Sequence, residues 1–294
     1  MKRSVAQIRE LLRVPSAGGG AVDLAAIDPR GTPGIPAELS RREAKAWARE
    51  RVAQLGGQLA TWQEMLYAGA QVDPDAARRV LLVLQATDCG GKDGTIRRVA
   101  GAMNPQGLEI RSFGPPTPQE LRHDFLWRIR RALPRPGHVG IFNRSHYEDV
   151  LIVRVESLVP EPVWRGRYDE INAFERELVA GGFTLVKVFL HISREEQRER
   201  LLKRLDNPTK HWKYNPADLA ARARWDDYQA AYAEVLARCD GPDAPWYVVP
   251  ADRKWYRDWA VASILAETFA GMGLEYPSGD FDVAAERERL LAAS

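Results

Sequence analysis

The sequence predicts an α/β domain in which a parallel β-sheet is flanked by helices. Two observations carry that reading: short apolar runs alternate with longer helical patterns between residues 79 and 270, and the first run ends in a Gly-rich loop that opens a helix. Parallel strands need long crossovers, and helices supply them. A chain of 294 residues suits one such domain with extensions.

The elements follow in order. An arm over residues 14–36 carries Gly and Pro, with a low-complexity stretch at residues 17–21. Residues 35–68 are rich in helix formers, and Ala48, Val52, Leu55, Leu59, Trp62 and Leu66 recur at three- and four-residue steps, predicting a helical layer. Residues 79–86 form an apolar run of the kind expected for a strand buried on both faces. Further strands are expected at 109–113, 138–142, 184–192 and 246–249. Helices are expected at 95–103, 119–132, 163–180, 194–205, 216–238 and 254–270. The charged tail from residue 278 offers a short helix at 284–291. The chain thus divides into an extension over 1–70, the main domain over 71–276 and a tail over 277–294.

Lys and Arg total 42 against 40 Asp and Glu, a formal net charge of +2, which argues against a nucleic-acid binder and makes any anion site local. The longest apolar run, residues 80–84, is far short of the ~20 residues of a membrane helix, and the N-terminus leads into no signal-peptide core. A cytoplasmic protein without membrane contact is expected. Cys89 and Cys239 stand apart and fit neither a disulfide framework nor a zinc pattern.

The strongest local signal is Ala86-Thr87-Asp88-Cys89-Gly90-Gly91-Lys92-Asp93-Gly94-Thr95. Strand, Gly-rich loop and helix together make an anion-binding geometry: backbone N–H groups converge, the helix N-terminus adds about half a positive charge, and Lys92 reaches terminal phosphates. The spelling departs from GxxxxGK[ST], since Ala86 replaces the first Gly and a hydroxyl returns only at Thr95. An ordinary Gly-rich turn is the plainer alternative. Asp88 within this loop either holds a magnesium ion between itself and the phosphates or closes an Asx-turn.

A second constellation, Asn143-Arg144-Ser145-His146-Tyr147-Glu148-Asp149, follows the third strand and so faces the same crevice. Asp149 and Glu148 suit a metal ion or a proton, and Arg144 suits a transferring phosphoryl group. A helix start capped by Ser145 explains Glu148 equally well but not Arg144, because a cation there is disfavoured.

Residues 84–96 and 141–151, with Asp124-Phe125-Leu126-Trp127-Arg128, residues 205–213 and residues 244–257, resemble in sequence and order the family-2 polyphosphate kinases. The resemblance runs from about Arg41 to Tyr276. It implies a P-loop kinase-like fold with a helical lid, here about residues 194–224, and Mg²⁺-dependent phosphoryl transfer between inorganic polyphosphate and nucleotides. Carried over by motif, Lys92 with Gly90, Gly91, Asp93, Gly94, Thr95 and Asn143 holds nucleotide phosphates, Asp88 and Asp149 organise metal, and Arg144 with Glu148 serves the transferred group. Asn143 and Glu148 are spelled as in the family's third class, associated with phosphorylating both AMP and ADP; guanine nucleotides are a further acceptor class. Other classes carry Asp at Asn143 and lack Glu148, which leaves the second metal carboxylate open, with Asp149 preferred. The family's habit also implies a homo-oligomer, a dimer or tetramer.

Residues 194–204 are unusually basic, and Lys210, His211 and Lys213 follow. A flexible polyanion needs a row of cations. Glu195, Glu196 and Glu199 can pair some of the arginines at helical spacing, so Arg204, Lys210 and Lys213 are the expected polyphosphate contacts. Arg128 is expected to reach phosphate, and Trp127 to pack in the core. The Trp255-Tyr256-Arg257 cluster reads as a buried helix start. His123 and His146 are given no catalytic part, because transfer between phosphates needs no base of high pKa. Two rivals remain: an ATP-dependent nucleoside-monophosphate kinase, and a non-catalytic nucleotide-binding regulator.

Overall fold

The computed structural model describes residues 7–14, 22–75 and 78–293; the low-complexity stretch at 17–21 lies outside them. Five parallel strands, β1 (Arg79–Gln85), β2 (Leu108–Ser112), β3 (Val139–Asn143), β4 (Phe183–His191) and β5 (Trp246–Pro250), form one sheet in the order β2-β3-β1-β4-β5. The helices are α1 (Ile8–Leu12), α2 (Arg41–Val72), α3 (Lys92–Val99), α4 (Trp127–Arg130), α5 (Ile152–Val155), α6 (Glu161–Ala180), α7 (Arg194–Leu205), α8 (Ala217–Ala223), α9 (Trp225–Arg238), α10 (Lys254–Ala270) and α11 (Val283–Ala292).

Side chains alternate across a strand, so β1 feeds two cores at once. Val80, Leu82 and Leu84 join Val139, Ile141, Val186 and Val188 beneath α2 and α10. Leu81 and Val83 join Phe142, Leu185 and Phe189 beneath α6 and α9. From the central β1 the chain steps outward to β2, returns to β3, then crosses to β4 and β5. That reversal opens a crevice beyond the carboxyl ends of β1, β3 and β4, where ligands bind in open α/β sheets.

The helical layer predicted for residues 35–68 is α2, started by a capping box in which Ser40 accepts from the Glu43 N–H and Glu43 accepts from the Ser40 N–H. It crosses the sheet against the strand direction. Its last turns meet Gly137 just before β3, Gly56 sits over Ala102, and Arg49 and Val52 reach the crevice at the other end. The arm before α2 crosses the carboxyl end of β5: Asp252 donates its N–H to Pro29, and the Tyr256 hydroxyl donates to Pro33.

Two helices differ from expectation. Residues 119–132 do not form one helix; a 3-10 turn at Glu120–Arg122 ends at His123, and only Trp127–Arg130 is α-helical. The Asp124 carboxylate accepts the Leu126 N–H at 3.0 Å, a local bond that competes with continuing the helix. Trp127 accordingly stays half-buried, stacked on the His123 ring with centroids 4.1 Å apart, rather than in the core. Residues 216–238 break at Arg224, whose backbone leaves the helical region between α8 and α9 and whose guanidinium reaches forward to Asp227 at 2.9 Å.

Gly137 has φ +75°, and a Cβ there would lie 2.3 Å from the Ala70 Cβ. Gly137→Ala is therefore expected to destabilise the fold by about 2 to 4 kcal/mol, from backbone strain plus overpacking, read as a lowered urea midpoint. An unchanged midpoint would mean that the end of α2 moves aside freely.

Candidate active site

The Gly-rich loop joins β1 to α3. Gly91 supplies the left-handed turn (φ +106°) that starts α3, and a Cβ there would lie 1.9 Å from Arg257 Nη1, so only glycine lets that guanidinium settle on the loop. Cys89 accepts φ +64° without being glycine. Lys92 is buried and donates to the Ala86 carbonyl at 3.0 Å across the base of the loop. Burial, with the Arg144 charge second, holds its ammonium below the usual range, a state that an arriving phosphate would reverse. Thr95 departs from expectation. Its hydroxyl is fully buried and donates to the Gly91 carbonyl at 3.3 Å, satisfied within its own helix instead of facing the crevice.

The β3 loop closes on the same place. Arg144, at φ +64°, donates to Asp88 Oδ1 at 2.8 Å, and Asn143 donates to Asp93 Oδ1 at 2.9 Å. Glu148 Oε1 lies 3.0 Å from the Gln85 side-chain nitrogen when that amide is turned to accept from Ser145. Beneath the loop, Lys187 donates to Glu175 and the Cys239 carbonyl, while the Tyr147 hydroxyl donates to Glu175 and His146 stands 3.4 Å from it. This buried network fixes the strand end from which Arg144 projects.

Asp149 and Arg128 sit elsewhere than expected. Asp149 is buried between Arg167 at 3.2 Å and Arg128 at 3.8 Å, away from the residues that line the crevice. Burial outweighs both guanidinium groups and pushes its carboxyl up to about 6. Arg128 donates to the Gly114 carbonyl at 2.9 Å and lies over the Phe113 ring, so it braces the loop after β2 rather than reaching out for phosphate. Among the described residues no three His, Cys, Asp or Glu side chains cluster as a metal cage. Mg²⁺ needs no such cage, since one or two carboxylates plus substrate phosphates suffice. Asp88 fits that donor set: it lines the crevice, and only one of its carboxylate oxygens is bonded to Arg144.

The basic segment folds over the opening. Arg204 donates to the Lys213 carbonyl at 2.8 Å and pairs with Asp218 at 3.4 Å; Lys213 pairs with Asp93 of the loop at 2.7 Å. Both cations thus have acidic partners from beyond their own segment, which their sequence neighbourhood did not show. Lys210 lines the crevice without an ion pair among the described residues. Arg200 donates to the carbonyls of Cys89, Gly90, Ala251 and Asp252, tying the loop to the end of β5.

The crevice holds about 1260 Å³ and is lined by twelve Lys or Arg residues against four Asp, although the chain as a whole carries only +2. Five of those cations, Arg49, Arg97, Arg98, Lys254 and Arg257, escaped the sequence reading. Lys254 and Arg257 carry a legible signal, one helical turn apart immediately after a strand, but the aromatics around them read as core.

Comparison with known proteins agrees with this geometry. A family model described as polyphosphate kinase 2 matches residues 42–276. An AMP/ADP-polyphosphate phosphotransferase of Meiothermus ruber is 52% identical over 233 residues, covering 79% of this chain and 85% of that protein. An ADP-polyphosphate phosphotransferase of Rhodopseudomonas palustris is 42% identical over 261 residues, covering 85% and 87%. The crystal structure of polyphosphate kinase 2 from Arthrobacter aurescens TC1 superposes with a TM-score of 0.91 at 44% identity, over 99% of this chain and 98% of that one.

The position of Asp149 has a pH signature. A carboxyl raised from 3.8 to about 6 keeps its proton longer in the fold than in the unfolded chain. It costs nothing below pH 4, opposes folding as pH climbs from 4 to 6, and reaches its full penalty of about 3 kcal/mol above that. Relative to Asp149→Asn, the wild type should lose stability across this window in urea denaturation. A pH-independent difference would return the carboxyl to its ordinary range.

Proposed function

The chain belongs to the polyphosphate kinase 2 family, and from that premise we propose that it moves phosphoryl groups from inorganic polyphosphate to AMP and ADP, reversibly and with Mg²⁺. One observation carries the reading: a crevice with twelve cations and four carboxylates is built around a phosphate loop at the strand ends. Such a site has far more positive charge than one nucleotide neutralises, and suits two polyphosphorylated substrates held together. In the forward direction the terminal P–O–P bridge of polyphosphate breaks, and a terminal phosphate oxygen of the nucleotide forms the new bond to phosphorus. The donor leaves one unit shorter.

Lys92 and the backbone N–H groups of Gly90, Gly91, Asp93 and Gly94 cradle the nucleotide phosphates. Arg144 leaves Asp88 to follow charge developing on the transferred group, with Glu148 setting the loop beside it. Mg²⁺, held by Asp88 and substrate oxygens, would neutralise charge between the two chains. Asp149 acts at a distance, steadying Arg128 and the Phe113 loop. Because transfer of this type rests on positioning and electrostatics, no side chain has to remove a proton. Residues 194–224 serve as the lid, with Arg204, Lys210 and Lys213 toward the donor, and the newly found Lys254 and Arg257 extend the cationic wall on the opposite side. Guanine nucleotides as further acceptors, a homo-oligomeric assembly and cytoplasmic residence belong to the same proposal. Among the described residues no helix is long and apolar enough to cross a membrane.

Incubation with AMP or ADP, Mg²⁺ and long-chain polyphosphate, with no ATP present, should yield ATP. A protein that phosphorylates AMP only from ATP would sink the proposal, and so would one that binds nucleotide and turns nothing over. Lys92→Ala should retain the fold while kcat falls about a hundred- to a thousandfold, as for loss of one preorganised group at the transferring charge. An unaltered kcat would take the loop out of the chemistry.

A further inference from the structure

The first turns of α2 break two local rules at once. Arg41 and Arg42 occupy its first turn, where the helix dipole disfavours cations. Arg41, Lys45 and Arg49 repeat like charges at i,i+4 spacing, which weakens a helix further. All four side chains are exposed, and none has a carboxylate at ion-pair distance among the described residues. At 3.6 residues per turn they fall within about 100° of arc, on the side that turns Val52 to the crevice, while Glu43 and Glu50 fall on the other side. Arg51, which donates to Gln54 at 2.9 Å, is the cation of these turns that falls outside the arc; the other four gather on one side.

The placement is as telling as the pattern. The end of α2 lies under Gly137 at the amino ends of the strands, and Arg49 lines the crevice beyond their carboxyl ends. The helix therefore carries Lys45, Arg42 and Arg41 out past the crevice mouth, about 12 Å along the axis from Arg49 to Arg41. They continue a wall already formed by Arg97, Arg98, Lys254 and Arg257.

We propose that this stripe is an outer docking track for the distal part of a long polyphosphate chain, a contact that short donors and nucleotides do not reach. The inference rests on the polyphosphate reading above. A compact nucleotide is satisfied inside the crevice, whereas a chain charged at every unit gains from each further unpaired cation by releasing counterions. The helix gives up some intrinsic stability for that gain, which explains a sequence that helix physics alone would not select.

The triple variant Arg41→Gln, Arg42→Gln, Lys45→Gln leaves the Ser40–Glu43 cap and all crevice-lining residues intact. Its KM for long-chain polyphosphate should rise roughly three- to tenfold, and the slope of log affinity against log salt should flatten by about two to three units. KM for ADP, KM for a short polyphosphate that fits the crevice, and kcat should stay at wild-type values. An unchanged long-chain KM, or equal rises for long and short donors, would overturn the track. Direct titration with fluorescently labelled polyphosphates separates this from failure of the functional reading. If the wild type makes no ATP yet binds long chains more tightly than short ones, and the variant abolishes that difference, the track stands and the catalytic reading falls. Binding of duplex DNA as tight as that of polyphosphate, lost equally in the variant, would overturn the assignment to polyphosphate.

Discussion

Like charges crowded into one crevice repel, and the molecule is organised around containing that repulsion. Each of the four carboxylates in the crevice is paired with a different cation: Asp88 with Arg144, Asp93 with Lys213, Asp218 with Arg204 and Asp258 with Arg257. Asp88–Arg144 and Asp93–Lys213 join segments far apart in sequence and so tie the β1 loop to the β3 loop and to the basic segment, whereas Asp218–Arg204 and Asp258–Arg257 close locally. Removing a carboxylate would release one cation and unbalance its neighbours, since the low-dielectric walls strengthen every interaction inside.

The scaffold explains how the charges stay in place without substrate. A sheet buried on both faces gives β1 and β3 little freedom, and the two loops that carry Lys92 and Arg144 start from adjacent strand ends. Arg200 pairs with Glu196 at 2.7 Å on its own helix and spends its two terminal nitrogens on four backbone carbonyls, neutral partners that anchor the guanidinium across the loop. The buried Lys187–Glu175 pair sits one layer deeper, where breaking it by removing one partner would leave an uncompensated charge.

The fold was largely legible because its signals are local and periodic. β1, β4 and α2 follow from apolar spacing, and the Gly-Gly-Lys loop announces itself by where it falls. The failures share a cause: sequence shows which charges exist but not which will meet. Lys213 read as unpaired because Asp93 is 120 residues away. Asp149 read as a metal ligand because it adjoins Glu148, yet the short helical turn aims it at Arg167 instead. Arg257 was hidden by Trp255 and Tyr256, whose bulk suggests a core when only Tyr256 is fully buried. Thr95 was misplaced by motif counting, since a hydroxyl one turn inside a helix can return to its own backbone.

The Lys213–Asp93 pair bears on how the crevice opens. The segment that carries Lys213 is tied to the loop by the same kind of charge-assisted bond that a phosphate offers, so on the proposed reading loading the site would exchange one anion for another at Lys213. Asp93 would keep its second partner, Asn143, through that exchange, because the two bonds use different carboxylate oxygens. An exchange of one anion for another at Lys213 can run in either direction, in keeping with the reversible transfer proposed above.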